Sequence, residues 1–195
     1  MKISLRNFAI FSLIFLASSC SFLEKFIPQK SFSALDATDV GTKMDIKNFF
    51  SGDIEGFTIS QDQNGKITNV STVKMNGTWD ENKGVLKQNF SYNGGRKDSR
   101  TWLITIDADG NFDAVGHDVS SAAKGVQISS MAQMTYSLLV PINGIKQEIR
   151  YEDRMYLVDD KSMIVISTFK KGMMGDGSGK NIISLRKIVP PKTAN

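Results

Sequence analysis

Ile145-Lys-Gln-Glu-Ile-Arg-Tyr-Glu152 alternates two kinds of side chain without a break. Ile145, Gln147, Ile149 and Tyr151 fall on one face of an extended chain, and Lys146, Glu148, Arg150 and Glu152 fall on the other. A period of two is the signature of a strand with one face toward a core and one toward water. Trp102, Ile104 and Ile106 repeat the pattern upstream, and Ile183, Leu185 and Lys187 repeat it near the end. Turn signals separate these runs: Asn64-Gly65, Asn82-Lys83-Gly84, Asn93-Gly94-Gly95, Asp109-Gly110, Asn143-Gly144 and Asp159-Asp160. Asn-Gly and Asp-Gly tolerate positive φ and mark tight hairpins.

Eight to ten strands follow, at 54–62, 66–79, 85–92, 99–107, 111–119, 123–130, 132–140, 145–158, 162–170 and 181–188, with the pair around 130 open to reading as one bent strand. Connections this short demand antiparallel neighbours, and no segment supplies a crossover helix. A meander of this length loses its edges by closing on itself. The expected fold is therefore all-β, an antiparallel up-and-down barrel, with a two-sheet sandwich as the alternative. Ahead of it, Asp45-Ile-Lys-Asn-Phe-Phe50 reads as a helical turn with Asp45 as N-cap and Gly52 as the stop.

The N-terminus carries a different message. Lys2 and Arg6 precede the apolar run Phe8–Leu16, and Ala17-Ser18-Ser19 lead into Cys20, the chain's single cysteine. The run is shorter than the roughly 20 residues a spanning helix needs. Its order is that of a cleaved export signal, and a cysteine after small residues resembles a lipobox whose thiol is acylated. Ser21, rather than an aspartate, then favours the outer membrane facing the periplasm. The chain divides into a signal peptide, 1–19; a lipidated tether, 20–43; a β-barrel domain, 44–190; and a tail, 191–195.

Loss of residues 1–19 leaves 176 residues, enough for one domain with a real core. Lys+Arg falls from 24 to 22 against 20 acids, so the net charge drops from +4 to +2. That balance excludes a nucleic-acid partner, which requires a clustered basic face. With Cys20 acylated, no thiol remains for a disulfide or a Cys-based metal site. The sequons at Asn69, Asn76 and Asn89 are incidental in a bacterial lipoprotein.

No reactive constellation survives inspection. His117-Asp118 and Ser120-Ser121 offer the residue types of a hydrolase triad, but neighbours on a strand point to opposite faces. No Gly-x-Ser-x-Gly elbow occurs. Gly175-Asp-Gly-Ser-Gly-Lys180 lacks P-loop spacing, with Met174 where the first glycine belongs and Asn181 where Ser/Thr should stand. Asp107-Ala-Asp-Gly-Asn111 lacks the terminal glutamate of a calcium loop, and a hairpin accounts for it. The expectation is no enzyme, no metal and no cofactor.

Besides Met1, eight methionines occur: Met44, Met75, Met131, Met134, Met155, Met163, Met173 and Met174. Methionine adapts to irregular apolar surfaces, so the set fits either gap-filling in the core or the lining of a lipid-like ligand's pocket. Trp102 and Tyr136 lie on apolar strand faces. They are candidate lining residues together with Met155, and Arg154 is the candidate partner for an anionic head group at the rim.

The order of several motifs resembles a family of bacterial lipoproteins, domain of unknown function 3833. The resemblance rests on Phe49-Phe50-Ser51-Gly52, Gly77-Thr78-Trp79, Phe90-Ser91-Tyr92 with Gly94, and Arg100-Thr101-Trp102. It continues through Asp109-Gly110, Asp118-Val119, Tyr136 with Leu138 and Pro141, and Met155-Tyr156-Leu157 with Asp159-Asp160. Asp153-Arg154-Met155 and Val165-Ile166 depart from the family's pattern. The resemblance implies a lipocalin-like barrel and no settled activity. The expected function is binding of a hydrophobic or amphiphilic small molecule. The alternative is a structural or interaction lipoprotein of the cell envelope with a filled barrel.

Overall fold

Among the described residues, ten strands run in chain order around a closed barrel, each antiparallel to its neighbours, with the first paired to the last. This computed structural model describes residues 41–142, 144–171 and 177–189. A single turn of helix, α1 (Ile46–Phe49), comes first. The strands are β1 (Gly52–Asp62), β2 (Ile67–Asp80), β3 (Lys83–Tyr92), β4 (Lys97–Ile106) and β5 (Asn111–Val115). They continue as β6 (Ala123–Ile128), β7 (Met131–Ile142), β8 (Ile145–Asp159), β9 (Ser162–Lys171) and β10 (Gly179–Lys187). The fold is the all-β up-and-down barrel that the alternation implies, with no sandwich.

Hydrophobic alternation fixes which way each strand faces. Ile54, Val73, Leu86, Trp102, Met155 and Leu185 are all buried and all point inward from different strands. The pair of strands around 130 is two strands, not one bent one. Ser129, at φ +53°, turns the chain, and β6 and β7 pair from Ile128 opposite Met131 onward.

The largest boundary difference from the sequence reading is in β5. The strand expected over 111–119 ends at Val115, so His117 lies in a turn and not on a strand. The cause is non-local. The Asp118 carbonyl accepts from the Leu139 N–H at 2.8 Å, and the Ser120 N–H donates to the Ser137 carbonyl at 3.0 Å, which draws this segment toward the end of β7. The side chain of Asp118 is engaged by β4, as described below.

α1 closes one end of the barrel. Asp45 caps it, its carboxylate accepting from the Asn48 N–H at 2.9 Å, and Ile46 and Phe49 are almost wholly buried. The Ile46 N–H donates to Gln127 Oε1 at 3.0 Å, and the Trp79 indole N–H donates to the Phe50 carbonyl at 3.4 Å. Gly77 makes this seating possible: a Cβ there would lie 1.6 Å from the Phe50 oxygen. The assignments made for residues 1–40, including the signal, Cys20 and most of the tether, lie outside the described residues, as do Met173 and Met174.

Candidate functional site: a cavity with one polar end

Barrel diameter grows with strand number, and about eight strands make an interior that side chains just fill. Ten strands leave room. A cavity of about 220 Å³ occupies the interior. Ile46, Phe50, Leu86, Ile104 and Phe112 wall it near α1, and Met75, Met134, Met155 and Val165 line it further along. Three of the methionines singled out by composition therefore face the cavity, while Met163 is fully buried in the wall. At the end away from α1 the lining turns polar and includes Tyr92, Asp98, Ser99 and Arg100. Asp98 and Ser99 are exposed, so solvent reaches the cavity there.

Arg100 shares the inward parity of Trp102, Ile104 and Ile106. Its guanidinium grips Asp118 in a forked contact, Nε to Oδ1 at 3.1 Å, Nε to Oδ2 at 3.0 Å and Nη2 to Oδ2 at 2.8 Å. Such bidentate pairs are among the stronger charge-assisted contacts. Burial disfavours both charges, but the pairing outweighs it, holding Arg100 above its ordinary pKa and Asp118 below its own.

Beyond Arg100 comes an aromatic wall. Trp102 meets Tyr136 edge to face at 5.3 Å, Tyr136 stacks on Tyr151 at 5.2 Å and 6°, and Tyr151 tilts against Phe169 at 5.8 Å. The Trp102 indole N–H donates to Gln88 Oε1 at 3.1 Å, and Gln88 Nε2 donates to Met75 Sδ at 3.7 Å. Burial raises both tyrosine hydroxyls, Tyr136 well above the usual range and Tyr151 to about 12. They therefore stay protonated, and the Tyr136 hydroxyl is a donor.

Asp153 sits among these groups, inward on β8 and only 8% exposed. Its Oδ2 accepts from the Tyr136 hydroxyl at 3.1 Å, while Oδ1 accepts no hydrogen bond among the described residues. Burial lifts its pKa from 3.8 to about 6, against the opposing pull of the Ser167 and Tyr136 hydroxyls and of the Arg100 charge. An unpaired oxygen of a buried carboxylate is costly, and this one belongs to a side chain that lines the cavity.

Of the residues picked from sequence, Trp102, Tyr136 and Met155 come together on the cavity wall. Arg154 does not. It points outside, at 3.0 Å from Glu152, because residues adjacent on a strand alternate faces and Met155 already faces in. The cation at the cavity is Arg100. Asp153, Arg100, Tyr151 and Gln88 were missed as site residues, although strand parity with Met155, Trp102 and, for Gln88, Leu86 places each of them inward. His117 does not line the cavity. The Asp107–Asn111 segment is a hairpin turn: Asp107 Oδ1 accepts from the N–H groups of Asp109 at 2.9 Å and Asn111 at 2.8 Å.

The sequence matches the family described as protein of unknown function DUF3833 over residues 28–178. No curated protein sequence matches it. Among solved structures, the fold is similar to a protein of unknown function from the DUF3598 family of Nostoc punctiforme, at 11% identity and TM-score 0.52. That alignment covers 75% of this chain and 51% of the other, so the chain spans about half the length of that structure. An S-type phycobiliprotein lyase of Guillardia theta is similar at 9% identity and TM-score 0.51, over 75% of this chain and 94% of the lyase. At these identities the likeness is one of fold.

Proposed function

The chain belongs to the DUF3833 family, and we propose that it is a non-enzymatic, lipid-anchored protein of the cell envelope whose barrel binds a hydrophobic or amphiphilic small molecule. One observation carries the binding reading: an interior cavity of about 220 Å³ with apolar walls and a few polar groups converging at one end. That is the usual composition of a small-molecule site, and the volume lies just under the roughly 300–1,000 Å³ of sites for drug-sized ligands. The occupant is accordingly one short chain or one small ring system.

Native mass spectrometry of the full chain purified from its own membrane tests it. A stoichiometric adduct that dissociates on activation is expected; bare protein at every charge state would count against the binder. The anchor rests on Lys2, Arg6, the Phe8–Leu16 run and Cys20. Cys20→Ser should abolish acylation and move the protein out of the outer-membrane fraction. A variant still lipid-modified and anchored would refute it.

A second reading, a structural or interaction lipoprotein, is favoured by the outer wall. Ile166, Ile182, Ile59 and Val70 stand directly opposite one another across β9, β10, β1 and β2, all exposed, with Phe57 beside them at 64% exposure. Contiguous apolar surface of this kind marks contact sites. A photo-crosslinking residue at position 57 that captures one envelope protein reproducibly would support it.

A further inference from the structure

We infer that the polar end of the ligand is a hydrogen-bond donor carrying positive charge, an amine or amidine, seated on Asp153, and not the carboxylate or phosphate of a lipid-like anion. The inference rests on the binding reading above and narrows it to a ligand class.

The cavity holds one cation and one fully enclosed carboxylate, and they differ in what each still lacks. Arg100 is already engaged through three contacts with Asp118, so its charge is neutralised by the protein itself. An anionic ligand would have to displace Asp118 or share the guanidinium with it. It would also bring its charge near Asp153 and near Asp98, a second carboxylate on the lining. Like charges in a low-dielectric interior repel strongly.

Asp153 is in the opposite condition. The Tyr136 hydroxyl donates to Oδ2 and the Ser167 hydroxyl also bonds the carboxylate, yet Oδ1 accepts no hydrogen bond among the described residues, on a side chain that lines the cavity. An ionised carboxylate has roughly four acceptor positions, so some remain unused. Arg100 cannot answer this demand by a direct bond, being committed to Asp118. The surrounding rings reinforce the choice. Trp102, Tyr136 and Tyr151 offer negative ring faces or phenol oxygens, which tolerate a cation better than an anion. The apolar body of the ligand would then lie against Met75, Met134 and Met155, whose thioethers conform to varied shapes.

The test uses the full chain in lipid nanodiscs and three six-carbon probes that differ only at one end: hexylamine, hexan-1-ol and hexanoate. Calorimetric titration of each, corrected against empty nanodiscs, gives the order of affinity at neutral pH. Hexylamine should bind about tenfold or more tightly than hexan-1-ol, the scale of one charge-assisted hydrogen bond, and hexanoate should bind most weakly. Asp153→Asn should erase the advantage of hexylamine and keep the binding of hexan-1-ol, which also shows that the variant's cavity is intact. Hexanoate binding as well as hexylamine, or an amine preference that persists in Asp153→Asn, would overturn the inference while leaving the binder reading standing. Failure of all three probes to bind would remove both.

Discussion

Asp153→Asn is the substitution whose effect on stability the structure specifies most fully. In the folded protein the carboxyl titrates at about 6, against 3.8 when unburied. An acid whose pKa is raised on folding holds its proton more tightly in the native state. Below pH 3.8 both states are protonated and nothing is lost. Between 3.8 and 6 the unfolded chain ionises first, so stability falls as pH rises, and above about 6 the whole penalty is in place. At about 1.36 kcal/mol per pH unit, the penalty reaches about 3 kcal/mol at pH 7.5 and about 0.5 kcal/mol at pH 4. Asparagine cannot ionise and escapes it. The intrinsic cost of placing an amide at the site is common to both pH values and cancels in the difference. Urea unfolding of both proteins at pH 4 and pH 7.5 should therefore show the variant gaining about 2.5 kcal/mol relative to wild type between the two. Equal differences at both pH values, with unchanged m-values, would refute the buried, charged Asp153 on which the ligand inference depends.

Three further outcomes follow from the packing. Tyr136→Phe removes the donor to Asp153 Oδ2, and should cost about 1–3 kcal/mol at pH 7.5 and less at pH 4, where the carboxyl is largely neutral; a pH-independent loss in urea titrations would contradict it. Gly77→Ala places a Cβ against the Phe50 oxygen and should cost about 1–3 kcal/mol as α1 is pushed off its seat, read by thermal melts and by a shift in Trp79 fluorescence. A chain beginning at Thr42 keeps α1 and every strand, so it should unfold cooperatively with a β-type far-UV spectrum; a disordered spectrum would show that the preceding segment belongs to the core.

The fold was legible because its determinants are local. Most hairpins are marked by residues that accept a turn, as at Gly65, Gly110 and Gly144, all with φ near +80°, and strand faces are marked by alternation. Reading failed where a distant contact decides. The Asn82-Lys83-Gly84 signal is displaced to Glu81-Asn82, with Glu81 at φ +49° and β3 already begun at Lys83. β5 stops early because Asp118 is claimed by Arg100 from β4 and by the backbone of β7, partners that no window around residue 118 contains.

The site divides along the same line. Trp102, Tyr136 and Met155 were accessible from hydrophobicity, since an apolar face turns inward. Arg100 and Asp153 were hidden by that same criterion, because a charged residue in an alternating run is read as outward unless parity is given priority over polarity. Parity is the stronger rule. A strand cannot turn one residue over without a bulge, and the register irregularity on β8 falls between Leu157 and Asp159, past Met155. With Met155 inward, Asp153 and Tyr151 must follow it, and Arg154 must face out. With Trp102 inward, Arg100 must follow. Enclosed charge at an inward position is expensive, so its presence there twice, once neutralised by Asp118 and once left open, separates the structural pair from the group with capacity to bind, while Asp98 at the same parity is exposed. That difference, and not the count of polar residues, singles out Asp153 as the anchor of the cavity.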